Sequence, residues 1–150
     1  MKTSSAGVAF IARHEGLRLR AYPDPATGGE PWTIGYGHTS AAGLPKVYRG
    51  TTITKERARE ILANDLVKFE NAVEKALTVN PTQTQFDAMV SLCFNIGPAN
   101  FARSSVLKFH NGRQFEKAAG AFALWNKASG KVLAGLTARR AAERALYSKK

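Results

Sequence analysis

Cysteine is nearly absent. With Cys93 as the single thiol in 150 residues, no intramolecular disulfide can form. It lies in the apolar run MVSLCFNIG and reads as a small core residue rather than a nucleophile. Long hydrophobic runs are missing too: none approaches the roughly 20 apolar residues that a membrane span needs. The apolar run at residues 6–12 meets Arg13, His14 and Glu15 at once, too short for a signal peptide. The expectation is therefore accumulation in a cytoplasm, with any export supplied by another component. Acidic residues are scarce, 11 Asp+Glu against 22 Lys+Arg, for a net charge of +11. Such an excess suits polyanions: nucleic acid, anionic lipid, or an envelope rich in carboxylate and phosphate. No zinc-finger, RRM-like or basic-zipper motif is present, so a nucleic-acid reading rests on charge alone. The three His have no ligand spacing with Cys93, and neither a metal nor another cofactor is implied.

The hydrophobic fraction, 44%, is ordinary for a globular chain. A chain of 150 residues can build one substantial core or two small lobes. Ser4 or Ser5 can cap a first helix leading to Glu15, with Gly16 as its stop. Leu17, Leu19 and Ala21 alternate with Arg18, Arg20 and Tyr22, the period of a short strand. Residues 32–36 are strand-like again, and turn residues crowd the interval between. Thr54 begins a helix expected to run to Leu77 without interruption, its Leu62, Leu66, Phe69 and Val73 on one side. Thr82 to Gln85 is a capping-box pattern that opens an apolar helix, placed at the centre of a helical lobe. Further helices are expected from about Phe101 to Asn111, through 115–125, and over 137–147. Trp125 packs among them. There is no internal repeat and no low-complexity tract.

Chemistry concentrates in EGLRLRAYPDPATGGEPWTIGYGHT, residues 15–39. Glu15 at a helix end faces the negative pole of the helix dipole, which suits a proton donor. Asp24 sits in a turn. Two such oxygen functions could flank a sugar acetal, one protonating the leaving oxygen and the other handling water. By spacing alone, two surface carboxylates explain the pair equally well. Tyr22, Trp32 and Tyr36 could stack on sugar rings or pack in a small core. Ser91 and Asn95, one turn apart, could line a cleft floor or be satisfied helix polars.

The whole string is more specific. EGLRLRAYPD followed by WTIGYGHT resembles the signature of the phage-type lysozymes, the bacteriophage endolysins. FDAMVSLCFNIG is similar to the family's central helix. FALWNKASGKVLAGLTARRAAE resembles the Trp-Asn and Gly-Leu-x-x-Arg-Arg-x-x-Glu blocks of its lambdoid branch. The resemblance implies an α+β lysozyme-like fold, mainly helical with a small antiparallel sheet. It implies one catalytic domain: a β lobe over about 13–56, a helical lobe from 1–12 and 78–150, and a connecting helix over 54–77. It implies hydrolysis, with inversion, of the β-1,4 bond between N-acetylmuramic acid and N-acetylglucosamine in peptidoglycan. The rival within the family is a lytic transglycosylase, which lacks the Asp and gives an anhydro product. Glu15 matches the family's general acid. Asp24 and Thr33 match the pair that holds the attacking water. His38 matches a structural histidine. Arg139 best matches an arginine that pairs with the catalytic Glu, with Arg140 as competitor. Residues 25–32 make the turn before Thr33 longer than the family pattern, and Glu30 is a second carboxylate within it. Asp24 is preferred because it keeps the matching AYPD context. A monomer is expected, acting on peptidoglycan after holin-type release, with outer-membrane phosphates as a further anionic partner.

Overall fold

The computed structural model describes all residues, Met1–Lys150. In chain order the elements are α1 (Ser5–His14), β1 (Arg18–Tyr22), β2 (Thr33–Gly35), β3 (His38–Thr39), α2 (Lys55–Asp65), α3 (Val67–Ala76), α4 (Gln83–Ile96), α5 (Pro98–Ala102), α6 (Ser105–Asn111), α7 (Phe115–Ala121), β4 (Lys127–Ala128), β5 (Lys131–Val132) and α8 (Ala134–Tyr147). Short 3₁₀ turns occupy Ser40–Ala42 and Phe122–Trp125. The fold is mainly helical with small antiparallel sheets, the α+β class expected. No helix is long and apolar enough to cross a membrane. The chain divides into two compact units, Val8–Val67 and Met1–Gly7 with Lys68–Lys150.

The first unit holds a three-stranded antiparallel sheet in the order β1-β2-β3. Tyr22 lies opposite Thr33, Thr33 opposite Thr39, and Ile34 opposite His38. The free edge of β1 is covered by a passing segment: Ala21 N–H donates to the Thr51 carbonyl at 2.9 Å, and Ile53 N–H to the Leu19 carbonyl at 2.9 Å. A covered edge leaves few backbone groups unpaired, which is how so small a sheet persists. Its core is Ala21, Ile34 and Val47, with Trp32 and Ile53 packed against it. Gly35 has φ +65°, a conformation open mainly to glycine, and a Cβ there would meet Ile53 and Ala58. Thr54 caps α2, its Oγ1 accepting from Arg57 N–H at 3.1 Å.

The second unit is organised on α4. The capping box is complete: Thr82 Oγ1 accepts from Gln85 N–H at 3.2 Å, and Gln85 Oε1 accepts from Thr82 N–H at 2.9 Å. From Phe86 to Cys93 every side chain of α4 is buried. Asp87 is the charged member of that run, and it accepts from Ser4 N–H at 3.0 Å and Gln83 Nε2 at 2.8 Å. Ser4 Oγ donates to the same carboxylate and accepts from Gly7 N–H at 3.0 Å, fixing the start of α1.

Three expectations need correction. The single helix over 54–77 is two helices broken at Leu66. That residue still bonds Leu62, but its ψ of −18° is shallower than a regular helix and its side chain is fully buried. The helix from Phe101 to Asn111 is also two. Ser104 starts α6 anew by accepting from Leu107 N–H at 3.2 Å. Between the last two helices, β4 and β5 form a hairpin turned by Ser129 at φ 51° and Gly130 at φ 78°. α8 itself starts at Ala134, three residues ahead of the expected start.

Candidate active site

Glu15 follows the last residue of α1. Its N–H donates to the Ala12 carbonyl at 3.2 Å, and the residue is half-buried. Arg13 and His14 occupy the last turn, where cations suit the helix dipole. Asp24 lies two residues beyond Tyr22, the β1 residue paired with Thr33. That pairing sets Asp24 and Thr33 at the same end of the sheet. Both are half-buried, whereas Glu30 is exposed. The lengthened turn therefore loops out without unpairing the strands.

His38 is buried under the sheet. Its Nδ1 is 2.7 Å from Asp65 Oδ2 and its Nε2 is 2.7 Å from the Pro45 carbonyl. A carbonyl can only accept, so Nε2 carries a proton. A further proton must lie between Nδ1 and the carboxylate. These bonds tie β3 to α2 and to the segment carrying Pro45, and the ring is buried. Tyr36 is buried, and Trp32 packs on the Ala21–Ile34–Val47 core. Of the aromatic candidates, Tyr22 is half-buried, with the Arg18 guanidinium 5.0 Å from its ring centroid. A concavity of about 710 Å³ in this unit, lined by Leu44, Tyr48, Arg57 and Ile61 among others, includes none of Glu15, Asp24 or Thr33.

The remaining candidates lie in the second unit, around a residue that sequence reasoning did not single out. Glu143 is fully buried. Arg140 meets it twice, Nε to Oε1 at 2.6 Å and an NH2 hydrogen bond to Oε2 at 3.0 Å. Ser91 Oγ donates to Oε2 at 2.6 Å and Arg139 Nε to the same oxygen at 3.4 Å. Arg140 NH1 continues to Asn95 Oδ1 at 2.9 Å and to the Trp125 carbonyl at 3.3 Å. Burial pushes the Glu143 carboxyl upward, opposed by the Arg140 charge, the Ser91 hydroxyl and the Arg139 charge. Burial lowers Arg140, opposed by Glu143. Neither arginine is a solvated basic group. Ser91 is fully buried and lines no surface; Asn95 is exposed but engaged by Arg140. The available signal was the spacing of 139, 140 and 143 on one helix, which brings all three to one face. Cys93 is buried and its thiol is pushed up to about 12 by desolvation, an inert core group.

This fold, mainly helical with small antiparallel sheets, is the phage lysozyme architecture. The sequence profile described as phage lysozyme matches residues 12–143, and the chain belongs to that family. The endolysin of Salmonella phage P22 is 45% identical over 147 residues, covering 98% of each chain. The endolysin of Bacillus phage B103 is 41% identical and covers 98% of this chain but 54% of its own length. The chain thus spans about half the length of the Bacillus phage relatives that it matches. Among solved structures, the muramidase domain of SpmX from Asticaccaulis excentricus is 40% identical, with a TM-score of 0.86 and 99% of each chain covered.

Proposed function

We propose that the protein is a glycoside hydrolase that lyses bacterial cells by cleaving the β-1,4 bond between N-acetylmuramic acid and N-acetylglucosamine in peptidoglycan. The observation that supports this reading is that Asp24 and Thr33 lie at one end of the β1–β2 pair in a chain of the phage lysozyme family, with Glu15 taken as the acid by resemblance. In this reading Glu15 protonates the leaving glycosidic oxygen. The Asp24 carboxylate and the Thr33 hydroxyl hold a water on the opposite face of the sugar ring. A hydroxyl both donates and accepts, so Thr33 can orient that water while Asp24 takes its proton. Attack from the far side inverts the anomeric carbon. Asp24 is favoured over Glu30 because it is half-buried at the sheet end, while Glu30 is exposed. Arg139, with Arg140 as competitor, is kept as the arginine that the resemblance pairs with the catalytic Glu; both also bond Glu143.

The charge of +11 suits a wall polymer carrying carboxylates and phosphates, and outer-membrane phosphates are a further anionic target. The same reading has a monomer accumulate in the bacterial cytoplasm and reach the wall after holin-type release. The test is mass spectrometry of fragments from purified peptidoglycan, wild type against Glu15→Gln. Reducing muramic ends from the wild type alone are expected. Anhydromuramic ends would instead identify a lytic transglycosylase, and fragments from Glu15→Gln at the wild-type rate would remove Glu15 as the acid.

A further inference from the structure

The lengthened turn between Asp24 and Thr33 is closed by hydrogen bonds on all sides. Asp24 N–H donates to the Gly29 carbonyl at 3.0 Å. The Asp24 carbonyl accepts from Gly28 N–H at 2.8 Å and from Thr27 N–H at 3.3 Å. Asp24 Oδ1 accepts from Ala26 N–H at 2.7 Å, which sets the rotation of the carboxylate and leaves Oδ2 free of that tie. Gly28 takes φ +72°, as the return of the chain requires. One side chain closes the ring. Thr27 Oγ1 donates to the Glu30 carbonyl at 2.6 Å and accepts from Gly29 N–H at 3.2 Å. The carbonyl of that same Gly29 receives the Asp24 N–H.

We propose that Thr27 is a positioning residue for hydrolysis: its hydroxyl closes the loop so that the Asp24 carboxylate is presented to the attacking water at one fixed rotation. The inference rests on the reading of Asp24 as a water-holding group. Without the hydroxyl, Gly29 N–H and the Glu30 carbonyl turn to solvent, and the loop can carry Asp24 through several orientations. These loop bonds are exposed, so water replaces them at small cost to stability. The loss falls on the geometry of the reacting groups, where a displacement of about 1 Å can cost up to about a hundredfold in rate. Serine preserves both bonds. Valine preserves the shape and neither bond.

The experiment measures kcat and KM on solubilised peptidoglycan for wild type, Thr27→Val, Thr27→Ser and Asp24→Ala, with Tm for each. Thr27→Val is expected to lower kcat about tenfold with KM and Tm close to wild type, and Thr27→Ser to restore kcat to within about twofold. Wild-type turnover by Thr27→Val beside an inactive Asp24→Ala overturns the role of Thr27 and leaves the Asp24 reading standing. An active Asp24→Ala removes the reading beneath it, and the inference with it. Equal impairment in the Val and Ser variants, a loss confined to KM, or a loss that tracks Tm also overturns the proposal.

Discussion

Arg140 and Glu143 form a two-pronged ion pair out of reach of water, at 2.6 and 3.0 Å, one turn apart on α8. A carboxylate and a guanidinium are costly to bury, and the cost is offset only when the remaining donors and acceptors are met. Ser91, Asn95, Arg139 and the Trp125 carbonyl meet most of them here, from α4, α8 and the 3₁₀ turn before β4, while Arg140 Nε and Glu143 Oε1 have each other as an ion pair without hydrogen-bond geometry. The cluster joins the surfaces of α4 and α8 as a structural unit.

Removing the carboxylate should therefore cost far more than removing a surface charge. Glu143→Ala takes from the buried Arg140 guanidinium its close carboxylate partner, and a loss of about 3–5 kcal/mol is expected. Urea unfolding of wild type and variant measures it. A loss under about 1 kcal/mol would mean that the cluster contributes little to the fold.

His110 carries a pH dependence. Its Nε2 donates to the Val79 carbonyl at 3.0 Å, so its Nδ1, 2.7 Å from the Tyr147 hydroxyl, accepts from that phenol. This uses the neutral ring. Burial lowers the His110 pKa below its ordinary value of 6.5, and the bond to Val79 opposes the shift only in part. The unfolded chain takes up a proton near 6.5 that the folded chain refuses. Stability from this group is complete above that pH and falls as pH drops toward the folded value. Unfolding free energies across pH 5 to 8 should slope downward on the acid side, and His110→Gln should flatten the slope. An unchanged slope in the variant would assign the dependence to other groups.

Gly7 is a packing constraint. A Cβ there would lie 2.5 Å from Asp87 Cγ and 2.7 Å from Thr3 Cγ2. Gly7→Ala gains helix propensity but must displace the carboxylate that holds Ser4. The expected outcome is net destabilisation by about 1–3 kcal/mol, read as a lowered Tm. A raised Tm would show that Asp87 can move without loss.

Asp24 and Glu30 separate by substitution. Asp24→Ala and Thr33→Ala should each reduce the rate of peptidoglycan hydrolysis by about a hundredfold or more, while Glu30→Ala stays near wild type. Turbidity clearing of purified walls, with circular dichroism as the folding control, decides it. An inactive Glu30→Ala beside an active Asp24→Ala reverses the assignment.

Much of the fold was legible because its signals are local. Thr54 and Thr82 announce helix starts through bonds to residues three positions on. The run from Phe86 to Cys93 is apolar on nearly every side, as a central helix must be. Other features turned on single residues with weak signals of their own. Leu66 keeps the helical spacing of its neighbours, yet the helix breaks there. Ser104 carries ordinary capping chemistry inside a segment expected to run on as one helix past it, and the Ser129–Gly130 turn lies where no element was expected. The partners of His38, namely the Pro45 carbonyl 7 residues on and Asp65 27 residues on, follow no spacing rule.

The sequence by itself determined the family, the helix starts at Thr54 and Thr82 and the candidates Glu15, Asp24 and Thr33, because motif, cap and turn chemistry act between near neighbours. Only the tertiary structure decided what the charged and polar side chains do. Arg139 and Arg140 look alike in sequence to any solvated basic pair, and Glu143 to any surface carboxylate. Burial converts them into mutual partners, since a charge out of water must find its counterion, and which groups leave the water depends on how distant segments pack.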